Sequence, residues 1–431
     1  MKKGTRMVKI KHLSNGITVV FETMPYLRSA SFGVWVKVGS VNENKSNNGI
    51  AHVIEHMLFK GTKNRNTKQM ADDMARIGGN INAYTSKECT SYYATILSEH
   101  LPLAIDILSD MFQNSLIDEK DLKKEKSVII EEIDMYEDSP EDLAHEMLQK
   151  KIWKDHPLGY IISGTKQNIR NISREQILDF MDTYYVGDNI IISVAGRFDE
   201  DEIYTLLEEK FGSIKQRNQV LMENIDKPKY HKVIYTKNKD IEQVHCNIAF
   251  DCISYLSDQR YVLTVFNSIF GGSINSRLFQ IIRENSGLTY SIYSYGSSFR
   301  HAGLFHIYAA MNPSQTDTVF KKIYQIIEDI KKNGINSDEL EMAKEQIKTD
   351  FILGSESAKS RMNSNGKSVI NRGYVLPLDD IVAGIEAVTL DDIKEFANKY
   401  LDFNNMSISI VGNIKDSSTF IPKEFLTLTP V

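Results

Sequence analysis

The segment His52-Val53-Ile54-Glu55-His56 brings two imidazoles and a carboxylate together in the pattern HxxEH. On a helix, His52 and His56 stand one turn apart on one face, and Glu55, three residues from His52, flanks that face. Val53, Ile54, Met57 and Leu58 fall on the other side, so such a helix can pack into a core while presenting the polar triplet. Metal-assisted hydrolysis needs three protein ligands, an open position and a base outside the ligand set that takes a proton from water. His52 and His56 suit two ligands and Glu55 suits the base. On the motif alone, two histidines on an ordinary helix remain the alternative.

The third ligand must come from another element. Residues Glu119–Glu137 read as a helix in which Glu125 and Glu132 are near-aligned over two turns, beside Val128, Ile129 and Ile133. A carboxylate that borders an apolar stripe needs a partner, and a metal would be one. Glu131, Asp134 and Glu137 read as a solvated face; for Glu132 the residues leave ligand and solvated surface equally open.

The elements that must position these groups are readable around them. Residues 7–23 alternate apolar and polar on both sides of Ser14-Asn15-Gly16, which predicts a hairpin. A strand follows over Ser31–Val38, then a helix over Ile50–Phe59 with Asn48 as its cap and Gly61 beyond its end. Helices are expected at Lys68–Ile77, His100–Asn114, Glu119–Glu137 and Glu141–Lys151, and strands at Ile81–Thr85 and Ser91–Leu97. Laying Ile172–Phe198 over Val388–Ile414 exposes an internal repeat: Phe180 meets Phe396, Tyr184 meets Tyr400, Asn189 meets Asn405 and Gly196 meets Gly412. Each copy reads as a capped helix, a short loop and an apolar strand that ends in glycine. Duplication of this kind implies two domains of one fold, drawn at 1–215 and 231–431 with a linker over 216–230. Hairpins mixed with helical runs favour an α+β fold with largely antiparallel sheets over a doubly wound parallel sheet.

The chain has 431 residues, enough for two such domains, and 42% apolar with 25% charged residues is the balance of a globular protein with sizeable cores. A net charge of −6, with Lys and Arg spread along the chain, argues for neither nucleic acid nor an anionic membrane as a partner. No stretch has the length and apolarity of a bilayer span, and the basic N-terminus lacks the apolar run of a signal peptide, so the expectation is a cytoplasmic protein with no membrane partner. Cys89, Cys246 and Cys252 are scattered, with neither a disulfide framework nor a cysteine metal site in their spacing. The remaining histidines, including His145, His245 and His306, have no motif around them and are assigned ordinary core or surface roles.

In its context, Gly49 to Thr62, the HxxEH segment closely resembles the pitrilysin/insulinase family of inverzincins, in particular half-length members related to mitochondrial processing peptidase. That family's third ligand follows in a stretch of the form Glu-(six residues)-Glu, matched here by Glu125 through Glu132, with Glu132 lying 76 residues after His56. The resemblance makes Glu132 the ligand, with Glu131 as fallback, and Glu125 a residue that supports the site without binding metal. Gly78-Gly79-Asn80-Ile81-Asn82-Ala83-Tyr84-Thr85 is similar to the family's active-site edge strand, where Asn82 and Ala83 would bind the backbone of a peptide added as an extra strand. The stretch from Gly271-Gly272-Ser273 through Arg283 to Tyr290 resembles the segment whose arginine and tyrosine hold the substrate carbonyl and stabilise the developing oxyanion, here Arg283 and Tyr290. The second half carries Ser268-Ile269-Phe270-Gly271-Gly272 near the place of an HxxEH, so the resemblance implies one Zn2+ per chain. It further implies half of a four-domain clamshell, completed by a homodimer or by a heterodimer with a paralogue, in which Arg283 and Tyr290 serve the partner's zinc. The activity implied is endopeptidase cleavage of extended peptides inside the closed chamber. A non-catalytic scaffold subunit of the same fold is the alternative, and a zinc hydrolase of some other small substrate is a third reading.

Overall fold

The computed structural model describes residues 8–216 and 226–414, and most of the expected linker, residues 217–225, lies outside the described residues. The chain divides into two compact units. Each is built on a sheet of its own.

The first unit holds a six-stranded sheet of β1 (Val8–His12), β2 (Thr18–Thr23), β3 (Ser29–Val36), β4 (Asn80–Thr85), β5 (Thr90–Leu97) and β6 (Ile190–Gly196), in the order β1-β2-β6-β3-β5-β4. The expected hairpin forms as β1 and β2, closed by the turn at Ser14-Asn15-Gly16. Only β2 and β6 run parallel; every other pair is antiparallel. Alternation sends Val19, Phe21, Phe32, Val34 and Val36 into one core with the helices Ile50–Leu58, Leu101–Asn114 and Arg174–Tyr184. It sends Val20, Trp35 and Ile191 to the opposite face, where Met362, Val369 and Ile370 of the helix Ala358–Arg372 cover them. That helix lies close: a Cβ added to Gly366 would sit 2.7 Å from the Trp35 ring, so only glycine fits there. On the same face Glu22, with no solvent exposure, receives Arg361 Nε at 2.8 Å and Asn365 Nδ2 at 2.7 Å.

The second unit repeats the plan with β7 (Ile234–Asn238), β8 (Val244–Cys252), β9 (Thr289–Ser298), β10 (Gly303–Met311) and β11 (Ser407–Gly412), in the order β7-β11-β8-β10-β9. Again one pair, β7 with β11, is parallel. One face packs Cys246, Ile248, Phe250, Phe305 and Ile307 against helices. The other meets the helix Pro140–Ile152, whose Leu143 and Ala144 pack on Val411. Its His145 sits in a polar layer there, with Nδ1 2.7 Å from the Tyr295 hydroxyl and 2.8 Å from Asn247 Nδ2.

The repeat is therefore structural as well as sequential: Ser173 and Thr389 both head their helices with a capping box. The units, however, are not the contiguous halves 1–215 and 231–431. Residues 134–159 belong to the second unit and 352–376 to the first. The helices Pro140–Ile152 and Ala358–Arg372 stand at corresponding places in the two repeats, and each covers the open face of the sheet built by the other half of the chain. An amphipathic helix buries its apolar side wherever a complementary sheet face is presented, and nothing in its own sequence says which face that is. Among the described residues, no helix is long and apolar enough to cross a membrane.

Candidate metal centre

The HxxEH helix spans Ile50–Leu58 and buries Ile50, Ala51, Val53, Ile54, Met57 and Leu58, leaving His52, Glu55 and His56 on the opposite face as its periodicity predicts. Its N-terminus differs from the expectation. Gly49, not Asn48, is the capping position, with φ +102°, and it offers no side chain to the free N–H groups of the first turn. A side chain at Gly49 would be strained by that φ and would press on the Ser163 carbonyl, 2.9 Å from an added Cβ. The cap comes from upstream: the buried Glu43 carboxylate accepts the Gly49 and Ala51 backbone N–H at 2.8 and 2.9 Å and the Asn48 amide at 2.8 Å. Asn48 turns its amide instead to Glu43 and to the Ile161 carbonyl.

The helix Glu119–Asp138 buries Leu122, Glu125, Ile129 and Ile133 and brings Glu132 to the two histidines. Glu132 Oε2 lies 3.9 Å from His52 Nε2 and 3.6 Å from His56 Nε2. Donors about 2.1 Å from a tetrahedral ion stand roughly 3.4 Å apart, close to both separations, and one ligand atom from each of the three residues lies within 4.8 Å of the others. Among the described residues this trio is the one group of histidine, cysteine and acidic side chains so placed. Glu131 is exposed and outside it. Burial, with His56 alongside, lowers the His52 pKa to about 4, which keeps that imidazole neutral and its lone pair available.

Each remaining group around the trio has a partner suited to a task. Glu125 Oε2 lies 3.2 Å from His56 Nδ1 while its Oε1 takes Lys60 Nζ at 2.8 Å, a carboxylate–histidine arrangement that holds the ring with Nε2 toward Glu132. Glu55 is outside the trio and accepts the Thr85 hydroxyl at 2.5 Å. Burial raises the Glu55 carboxyl above its ordinary value, against the pull of Thr85 and His56. Thr85 closes β4, which is the edge of its sheet and is paired on one side by β5. Asn82 and Ala83 lie on that edge strand, with Asn82 Oδ1 accepting the Ala83 N–H at 2.8 Å.

Arg283 and Tyr290 lie in the second unit, on the helical turn Phe279–Glu284 and on β9. Both are exposed, and the guanidinium carbon stands 5.9 Å from the Tyr290 ring centre. The helix Arg260–Phe270, which occupies in this unit the place of the HxxEH helix, contains no histidine. Lys60, Thr85 and Glu43 are the contributors that the sequence reading did not single out. Lys60, one turn beyond His56, carried a local signal in its spacing. Thr85 carried none, since it reaches the helix from a separate strand, and Glu43, six residues before Gly49, lies outside the usual capping positions.

Two family models match the chain: insulinase (peptidase family M16) over residues 18–166 and peptidase M16 inactive domain over residues 171–347. A Bacillus subtilis protein named uncharacterized zinc protease YmxG is 39% identical over 410 residues, covering 95% of this chain and 100% of its own. An uncharacterized zinc protease of Rickettsia felis is 36% identical over 421 residues, covering 97% and 100%. Among solved structures, a protease from Helicobacter pylori superposes with a TM-score of 0.88 at 22% identity, over 94% of this chain and 99% of that one. A chain of complex III2 from Candida albicans superposes with a TM-score of 0.82 at 20% identity, over 98% and 99%. At these identities the two structural likenesses speak to the fold alone.

Proposed function

The chain belongs to the insulinase family, peptidase family M16, and from that premise we propose that it is a zinc-dependent endopeptidase acting on extended peptides or unfolded segments. The observation that carries the reading is the convergence of His52 Nε2, His56 Nε2 and Glu132 Oε2 beside a carboxylate, Glu55, that is free to act as base. Two imidazoles and one carboxylate are a donor set that suits zinc, and the relatives named zinc proteases support that ion. When bound, zinc supplies a Lewis acid that polarises a carbonyl and makes water more acidic. Glu55 takes the proton of the attacking water and delivers it to the departing amine. Thr85 holds the Glu55 carboxylate in place for both transfers.

The free edge of β4 supports an extended substrate, whose backbone would pair beside Asn82 and Ala83 once the Ala83 N–H is released from Asn82 Oδ1. Arg283 and Tyr290 form an exposed donor pair suited to the developing oxyanion. In this reading they serve the single zinc of a second chain, identical or paralogous, and pairing closes a chamber that sets substrate size. An intact donor set together with a base favours catalysis over a scaffold role.

Zinc content and peptide cleavage of the wild type and of Glu55→Gln test the reading. Zinc retained with cleavage lost is expected; cleavage unchanged in Glu55→Gln would sink the mechanism. For the pairing, inactive Glu55→Gln and inactive Arg283→Ala proteins, mixed under conditions of subunit exchange, should recover activity through mixed dimers. No recovery would reject action across the dimer.

A further inference from the structure

The two histidines of the centre are held by different devices. His56 is fixed through its ring, because Nδ1 meets Glu125. His52 has no such anchor: its Nδ1 is buried and without a hydrogen-bond partner among the described residues. The placement of its imidazole therefore rests on the backbone that carries it. His52 sits in the first turn of a helix of nine residues, which is where helices fray and where N–H groups lack intrahelical partners. Gly49 at the cap offers only its backbone carbonyl, to the Val53 N–H, and the Asn47 carbonyl takes the Ile50 N–H; from side chains the turn is held by Glu43, whose one carboxylate binds two backbone N–H groups with Asn48 locked against it.

We infer that Glu43 is a positioning residue for the metal centre, a buried carboxylate cap that fixes the first turn of the HxxEH helix and through it the His52 ring. This rests on the reading of His52, His56 and Glu132 as zinc ligands. The geometry supports the choice of a carboxylate. Its two oxygens span donors two residues apart, Gly49 N–H to Oε2 and Ala51 N–H to Oε1; burial pushes the Glu43 carboxyl up to about 7, while these hydrogen bonds, that of Asn48 and the positive end of the helix favour its charged form. Glutamine has the same shape but one acceptor oxygen, so its NH2 group would face an N–H donor and release part of the turn. Aspartate keeps both acceptor oxygens and shortens the reach.

The test compares the full-length wild type, Glu43→Gln and Glu43→Asp for zinc affinity by chelator competition. The visible spectrum of the cobalt-substituted protein is read alongside as a report on ligand geometry, and thermal unfolding of the metal-free chains as a control for folding. Glu43→Gln is expected to fold, to bind zinc about tenfold more weakly and to show an altered cobalt spectrum, while saturating zinc restores part of its activity. Glu43→Asp should fall between the two. Wild-type affinity and an unchanged cobalt spectrum in Glu43→Gln overturn the inference; if that variant does not fold, the same result in Glu43→Asp overturns it. A wild type that binds no zinc overturns both this inference and the reading beneath it, so the two failures are distinct.

Discussion

Replacing Glu125 with Gln should weaken zinc binding about tenfold while the fold stays intact. Glu125 is 7% exposed, and its two oxygens serve different partners, His56 Nδ1 at 3.2 Å and Lys60 Nζ at 2.8 Å. By engaging Nδ1, Glu125 fixes the orientation of the His56 ring and presents Nε2 to the metal position beside Glu132. A hydrogen bond to a charged group contributes about 1.5–3 kcal/mol and a neutral one about 0.5–1.5 kcal/mol. The amide therefore removes roughly 1–1.5 kcal/mol from the oriented ring, on the order of a tenfold change in affinity. Lys60 is about a third exposed, so water compensates it when its ion pair is lost, and that loss adds little. The assay is zinc competition against a chelator of known affinity, with circular dichroism as the control for folding. An affinity within about twofold of the wild type would refute the positioning argument. A loss as complete as that of His56→Ala would refute it differently, by placing Glu125 among the ligands.

Glu132→Gln should lose bound zinc whereas Glu131→Gln, altering an exposed side chain outside the trio, should keep it; metal analysis of the two purified proteins decides. Arg361→Ala leaves Glu22 fully buried without its cation and should cost about 3–5 kcal/mol, read as a lower denaturant midpoint, and a midpoint near the wild type's would count against that bridge. Arg277, bonded to Glu339 at 2.7 and 2.8 Å, holds the Glu339 carboxyl below its ordinary 4.5. A depressed folded-state pKa stabilises above the unfolded value and ceases to do so as the pH falls through the folded one. Glu339→Gln should therefore lower the melting temperature at neutral pH and leave it nearly unchanged at pH well below 4.5; an equal drop at both would reject the linkage.

What the sequence determined by itself is local or repeated. The 3.6-residue period put His52, Glu55 and His56 on one face and their apolar neighbours on the other, and the structure keeps that division. The capped helix and glycine-ended strand of each repeat, headed by Ser173 and Thr389, stand where the pattern put them, because caps and alternation are written in adjacent residues. Glu132 could be brought to the trio only by a family's spacing, since its own helix offers several carboxylates of similar character. The tertiary structure decided what depends on segments distant in the chain. It turned Glu132 rather than Glu131 to the histidines and brought Thr85 from a sheet edge to Glu55; nearer by, the fold of the loop before the HxxEH helix gave the capping role to Glu43, six residues before Gly49, where Asn48 had looked sufficient. It also gave each sheet the covering helix of the other half, so that contiguous domains became interleaved units. A periodic pattern states that a face will be buried or a helix end satisfied. Which distant group does so depends on how loops return the chain to that place, and no single segment records it.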